Sequence, residues 1–165
     1  MKMWQEVATP GAPHELLAKS AGSWTAKVKS WMEPGKPAEE SAGTTESKMV
    51  LGGRFLEEHM TGTMMGQPFE GIGYTGYDNY KKKYVATWMD NMGTMILSMS
   101  GRLDKSGKKL TMSGVMDDFV TKKLATYTGV TTFVDDDHHT YEMYMPGPDG
   151  KPFKSLEITY TRKKD

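Results

Sequence analysis

The chain has 165 residues, with 21 Lys plus Arg balancing 21 Asp plus Glu, and a sequence pI near 6.9. That length fits one domain burying roughly 70 % of its unfolded chain's surface, and the charge balance argues against nucleic acid or an anionic membrane as main partner, since both demand a basic surplus. The absence of cysteine excludes disulfides, zinc–thiolate sites, iron–sulfur clusters and cysteine nucleophiles.

Residues 1–20, MKMWQEVATPGAPHELLAKS, carry one early lysine but no apolar run of about 7–15 residues, so they do not read as an export signal. A signal removed ahead of Met1 would leave no trace, and the default expectation is a cytoplasmic protein. No stretch approaches the roughly 18 apolar residues of a membrane span.

Pro13 to Ser20 is the one segment with helical character. Pro13 suits the first turn, Leu16 and Leu17 form the apolar side, and Gly22 can end it. From Ser23 onward the period changes to two. Trp24, Ala26, Val28, Ser30 and Met32 alternate with Thr25, Lys27, Lys29 and Trp31, which describes a strand with one buried and one wet face. Further strands are predicted at Thr44–Leu51, Arg54–Met64, Phe69–Tyr77, Tyr84–Asp90, Thr94–Asp104, Lys109–Met116, Leu124–Val134, His139–Met145 and Phe153–Arg162. Short Gly-, Asp- and Pro-containing turns separate most of them.

Ten strands joined in this way imply antiparallel hairpins in chain order, and such a sheet leaves long bare edges unless it curls shut. Glycines inside strands (Gly62, Gly71, Gly73, Gly76, Gly101, Gly114, Gly129) permit the sharp bends of barrel corners. The expected fold is therefore all-β: a single antiparallel up-and-down barrel of about ten strands with a short N-terminal helix. A two-sheet sandwich is the alternative. Residues 12–164 are expected to form the barrel and residues 1–11 an N-terminal extension.

Two sets of residues carry family resemblances. Gly22-Ser23-Trp24, opening the first strand just after a helix, and Arg162, at the end of the last, resemble the calycin superfamily of lipocalins and fatty-acid-binding proteins. The resemblance implies a Trp sealing the closed end of the barrel and an Arg packed over its face, an arrangement that cation–π attraction favours. Gly22, Trp24 and Arg162 are thus structural candidates. Gly52-Gly53-Arg54-Phe55-Leu56, Gly66-Gln67-Pro68-Phe69-Glu70-Gly71, Gly76-Tyr77-Asp78-Asn79, Lys83-Tyr84-Val85, Trp88-x-Asp90 and Gly93-Thr94 follow in order. This series resembles a bacterial family called domain of unknown function 1579, over roughly residues 12–162. That family implies the fold and no activity.

No catalytic signature emerges. Gly71-Ile72-Gly73-Tyr74-Thr75-Gly76 spells G-x-G-x-x-G, but it lies within a strand and no helix follows to receive a pyrophosphate. On the third strand Glu57 and His59 share a face and could form an acid–base pair if that face looked inward. Both faces are mixed, but Leu56, Met60 and Met64 make the opposite face the expected inner one. Asp135-Asp136-Asp137-His138-His139 lacks metal-ligand spacing and reads as a wet hairpin turn. A haem protein would need an axial ligand from His59, His138, His139 or a methionine, and no spacing selects one, so no cofactor or metal is expected.

Trp88 and Asp90 share a face with Tyr84 and Ala86, which makes Asp90 the leading polar candidate for a cavity. Met60 with Met64, Met95 with Met99, and Met143 with Met145 fall at strand spacing among the 15 methionines, and flexible thioethers line adaptable pockets. The favoured expectation is a non-enzymatic protein binding a small apolar or amphipathic molecule through Trp24, Met60, Tyr84, Trp88, Asp90, Met99 and Met143. The alternatives are an interaction module forming a homodimer through exposed strand faces, with Trp31 as anchor, and an enzyme using Asp90, His59 or Glu57 inside the barrel.

Overall fold

The computed structural model describes residues 1–118 and 121–164. Two short helices, α1 (Lys2–Ala8) and α2 (Ala12–Ala18), precede ten strands. The strands are β1 (Gly22–Ser30), β2 (Glu39–Val50), β3 (Phe55–Met64), β4 (Gln67–Asp78), β5 (Lys83–Asp90), β6 (Leu97–Leu103), β7 (Lys109–Asp118), β8 (Lys123–Asp135), β9 (His138–Pro146) and β10 (Pro152–Arg162). Each strand pairs antiparallel with its chain neighbours, and β1 pairs with β10 to close the barrel. The up-and-down barrel is the observed architecture and the sandwich is not.

Three elements differ from expectation. α1 went unpredicted because it buries no residue and so leaves no apolar stripe to read. The Asn79 side chain holds its C-terminal end from the β4–β5 turn, donating from Nδ2 to the carbonyl oxygens of Val7 at 3.2 Å and Thr9 at 2.8 Å. β2 begins five residues before the predicted Thr44, at Glu39, where the register with β1 extends through Glu40 and Ser41 and polar residues pair on an exposed ribbon. β6 begins at Leu97 rather than Thr94, because residues 91–96 form a longer loop.

The first strand follows the alternation read from its sequence as far as Val28: Trp24, Ala26 and Val28 are buried, but the strand ends at Ser30, and Met32, expected on the same face, lies beyond it and is exposed. The core forms two clusters on the inner wall. One joins Leu17 of α2 to Leu56, Tyr84, Leu97, Met99, Leu110 and Met112, and the other joins Ala26, Val28, Met60, Phe69 and Ile158. Trp88 packs against both.

α2 lies over one end of the barrel, against β2, β3 and β4, with His14 and Leu17 turned into the core. Three carbonyls at its C-terminal end, those of Lys19, Ser20 and Ala21, need donors that the helix itself does not supply. Arg162 Nη2 donates to Lys19 at 2.7 Å and Arg162 Nη1 to Ala21 at 2.7 Å, while Trp24 Nε1 donates to Ser20 at 2.9 Å. The guanidinium lies 4.1 Å from the centre of the Trp24 ring, and Trp24 and Arg162 face each other across the β1–β10 seam. Gly22 is required beside them: its φ is +127°, and a Cβ there would come within 2.5 Å of Arg162 Nη1.

Removing the guanidinium strands the carbonyls of Lys19 and Ala21 and also that of Asp136, which accepts from Arg162 Nε at 2.9 Å. Arg162→Ala is expected to lower unfolding stability by about 2–4 kcal/mol, measured by urea denaturation followed by Trp fluorescence. Arg162→Lys is expected to recover only part of that loss, because one ammonium does not satisfy three divergent acceptors as a planar fork does.

Candidate functional site

The strands enclose a cavity of about 410 Å³. Its wall is built by the inward residues of every strand, and nine of the fifteen methionines line it, among them Met60, Met64, Met99 and Met143. Met64, Met92, Gly93 and Met95 border it at the end opposite α2, and His139, Ser20 and Leu17 border it at the α2 end.

Several strand glycines exist because rings occupy the space above them. A Cβ at Gly71 would lie 2.3 Å from Trp88 Cζ2, and one at Gly73 would lie 2.7 Å from Trp88 Cε3. Gly129 gives room in the same way to the Tyr141 hydroxyl, at 2.6 Å. The G-x-G-x-x-G run inside β4 is therefore the berth of an indole. Gly62, Gly101 and Gly114 answer a different need: a Cβ there would strike backbone carbonyls of the adjoining strand, at 2.7, 1.8 and 2.2 Å.

Five of the seven residues expected to meet a ligand, Met60, Trp88, Asp90, Met99 and Met143, line the cavity. Trp24 and Tyr84 are not among its lining residues. Trp24 is used up in the floor by Arg162, Ser20 and the edge of His139 at 4.4 Å. Tyr84 packs against Tyr77 with ring centres 4.9 Å apart and sits in the cluster beneath Leu17. Asp90 is paired within the chain: Oδ2 accepts from Trp88 Nε1 at 2.8 Å, and Oδ1 accepts from the Met92 amide at 3.0 Å.

Glu57 and His59 face outward. Glu57 accepts from the Tyr74 hydroxyl at 2.8 Å, the main reason its pKa is lowered, and His59 pairs with Glu70 at 2.8 Å. His138 likewise pairs with Asp135 at 2.8 Å on the wet side of the β8–β9 turn. The Trp31 ring is partly covered by Lys154, whose Nζ lies 5.5 Å from its centre and which also binds Glu142 and Glu157. No cluster of three or more potential metal ligands occurs among the described residues, and no helix among them is long and apolar enough to cross a membrane.

Glu58, Tyr141 and Tyr160, which the sequence reading does not single out, line the cavity, and so does His139, which is buried rather than part of the wet turn expected at residues 135–139. The signal for Glu58 was present: an alternation that turns Leu56 and Met60 inward turns the residue between them inward as well. Burial pushes its carboxyl from 4.5 up to about 7. Among the described residues it has no hydrogen-bond or ion-pair partner. Burial, with a lesser contribution from Arg162, pushes His139 down to about 4, so its imidazole is neutral at neutral pH. Burial raises the phenols of Tyr141 and Tyr160, and the Glu58 charge raises both further.

A carboxyl raised in the folded state favours folding while protonated and opposes it once ionised. The penalty from Glu58 is absent below pH 4.5, grows as pH rises, and is complete above about 7. Glu58→Gln removes it, so the variant's stability advantage over the parent is expected to grow across that window, reaching about 2–3 kcal/mol at its alkaline end. Denaturant titrations at a series of pH values measure it, and a difference that shrinks with rising pH contradicts the assignment.

Comparison with known proteins agrees with the architecture. The crystal structure of Rv2717c from M. tuberculosis is similar with a TM-score of 0.68 at 16 % identity, covering 94 % of this chain and 100 % of that one. The S-type phycobiliprotein lyase CPES from Guillardia theta is similar with a TM-score of 0.66 at 12 % identity, covering 94 % of each chain. At these identities the likeness is one of fold. No curated protein matches the sequence. The family model described as protein of unknown function (DUF1579) matches residues 9–162, and the chain belongs to that family.

Proposed function

We propose that this protein binds a small apolar or amphipathic molecule inside its barrel and performs no chemistry on it. The observation that carries this reading is the cavity of about 410 Å³ enclosed by a closed barrel and walled largely by thioethers, alkyl groups and the Trp88 ring. Its volume falls within the range of about 300–1,000 Å³ typical of small-molecule sites. Burying about 200–300 Å² of ligand surface at ~25 cal/mol per Å² supplies roughly 5–8 kcal/mol before entropic losses. Methionine walls re-pack around ligands of different shape at little cost, which suits a carrier or sensor better than an enzyme that must hold one substrate in one pose.

The competing readings have less behind them. Of the acid–base groups of an enzyme, Glu57 and His59 lie on the outer surface and are engaged there by Tyr74 and Glu70, while Asp90 lines the cavity but is held by the Trp88 indole and the Met92 amide. The lyase from Guillardia theta is an enzyme by name, but that property belongs to that chain. For a homodimer, the Trp31 anchor already has an intramolecular cation on its face.

The test uses a neutral probe. Octanol is expected to bind one molecule per chain, with a saturable change in Trp fluorescence through Trp88. Ala86→Phe, which projects a ring into the cavity, is expected to weaken binding by about tenfold or more. A folded protein showing no saturable response to octanol overturns the proposal.

A further inference from the structure

The deep end of the cavity is chemically lopsided. The Glu58 carboxylate, the hydroxyls of Tyr141 and Tyr160 and the His139 ring border it there without a hydrogen-bond partner among the described residues. The Thr45 hydroxyl, on the strand beside Glu58, is fully buried and also has no partner among the described residues. The sheet neighbours of Glu58 are Ser47 on β2 and Gly73 on β4, neither of which brings a charge. Across the hollow stand Tyr141 on β9 and Tyr160 on β10, both close enough to feel its charge. The Tyr160 ring is stacked at 4.4 Å on that of His139, which is neutral.

The cavity wall holds no lysine and no arginine among the described residues. Arg162 lies beyond it, its three nitrogens donating to the carbonyls of Lys19, Ala21 and Asp136. The second carboxylate in the wall, Asp90, is already held by the Trp88 indole and the Met92 amide. A fatty acid entering this hollow would therefore find no cation for its head and an unpaired carboxylate in its place. A buried carboxylate without a partner is costly, and a ligand that supplies the missing positive charge and N–H donors relieves that cost. Along β3, Glu58 lies between Leu56, which packs with Leu17 of α2, and Met64 at the opposite end, so such a ligand enters head first and leaves its tail among Met64, Met92 and Met95.

We infer that the cavity selects amphiphiles with a cationic amine head, bound against the Glu58 carboxylate with the Tyr141 and Tyr160 hydroxyls beside it, over fatty acids of the same length. This inference rests on the proposed ligand-binding role and names the ligand class. The amine binds the ionised form of Glu58, and the carboxyl titrates near pH 7, so binding takes up the charge and expels a proton. Affinity for an alkylamine should consequently rise from pH 6 to pH 8, where an ordinary amine with a pKa of about 10.4 stays protonated.

Octylamine, octanol and octanoate share one tail and differ only in the head. Calorimetric titration of the whole chain with each, at about pH 6 and about pH 8, tests the inference. Octylamine is expected to bind about tenfold or more tighter than octanol at the higher pH, and octanoate weakest of the three. The amine-to-octanol ratio is expected to fall at the lower pH, and Glu58→Gln should bring it close to one. Titrations near pH 7 in buffers of different ionisation enthalpy should show about half a proton released per amine bound. The inference is overturned if octanol binds and octylamine is no tighter, if octanoate is the tightest, or if Glu58→Gln keeps the amine preference. If octanol itself fails to bind, the ligand-binding role falls and this inference with it. The pH dependence and proton release of the unaltered protein decide the matter even if the variant does not fold.

Discussion

The Arg162 guanidinium answers two physical demands at once. A helix that ends over a barrel mouth leaves carbonyl groups in need of donors, and a large indole at the barrel floor exposes a negative π face. Arg162 donates to Lys19 and Ala21 at the helix end and lies over Trp24. Trp24 completes the set by donating to Ser20. Because Trp24 belongs to β1 and Arg162 to β10, the same contact fastens the seam that closes the barrel. Without closure the sheet would have two long edges and no enclosed volume.

The enclosed volume has a cost of its own. A hollow deprives its lining atoms of contacts that a filled core would give them, and Glu58 adds the expense of a carboxylate held in the apolar wall without a partner among the described residues. The fold tolerates both because closure, the two core clusters and α2 surround the hollow on all sides except the mouth. Where the wall meets bulky rings, β4 gives up its side chains altogether: Gly71 and Gly73 accept Trp88. The hollow and the stability of the fold are thus set against each other within a single layer of residues.

Much of the fold was legible because antiparallel strands print their period directly on the chain. β1 shows this best: Trp24, Ala26 and Val28 alternate with Thr25, Lys27 and Lys29, and the first set is buried. The floor was legible through the resemblance of Gly22-Ser23-Trp24 and Arg162 to the calycin pattern, which implies an Arg packed over a Trp at a closed end. The cavity was partly legible through the methionines and the Trp88–Asp90 pair. Its polar end was not. Glu58 hid in a run of charge, Glu57-Glu58-His59, where two wet residues flank one inward residue and hydropathy averages them together. His139 hid behind three aspartates in the same way. Tyr84 shares a face with Trp88 and Trp24 an inward row with Ala26 and Val28, but large rings also serve to close barrel ends, and that is where these two lie. α1 left no mark because it buries nothing.

The seam has a consequence for how the molecule comes into being. Arg162 and its Ala21 acceptor stand 141 residues apart, and the first strand cannot find its second neighbour until nearly the whole chain has left the ribosome. Hairpins such as β3–β4 can form early, but the ring they belong to waits for the last strand. High average sequence separation between contacting residues slows folding, and while the two edges stay bare they offer templates for pairing with other chains. Loss of β10 as a whole would therefore leave an open sheet rather than a shorter barrel.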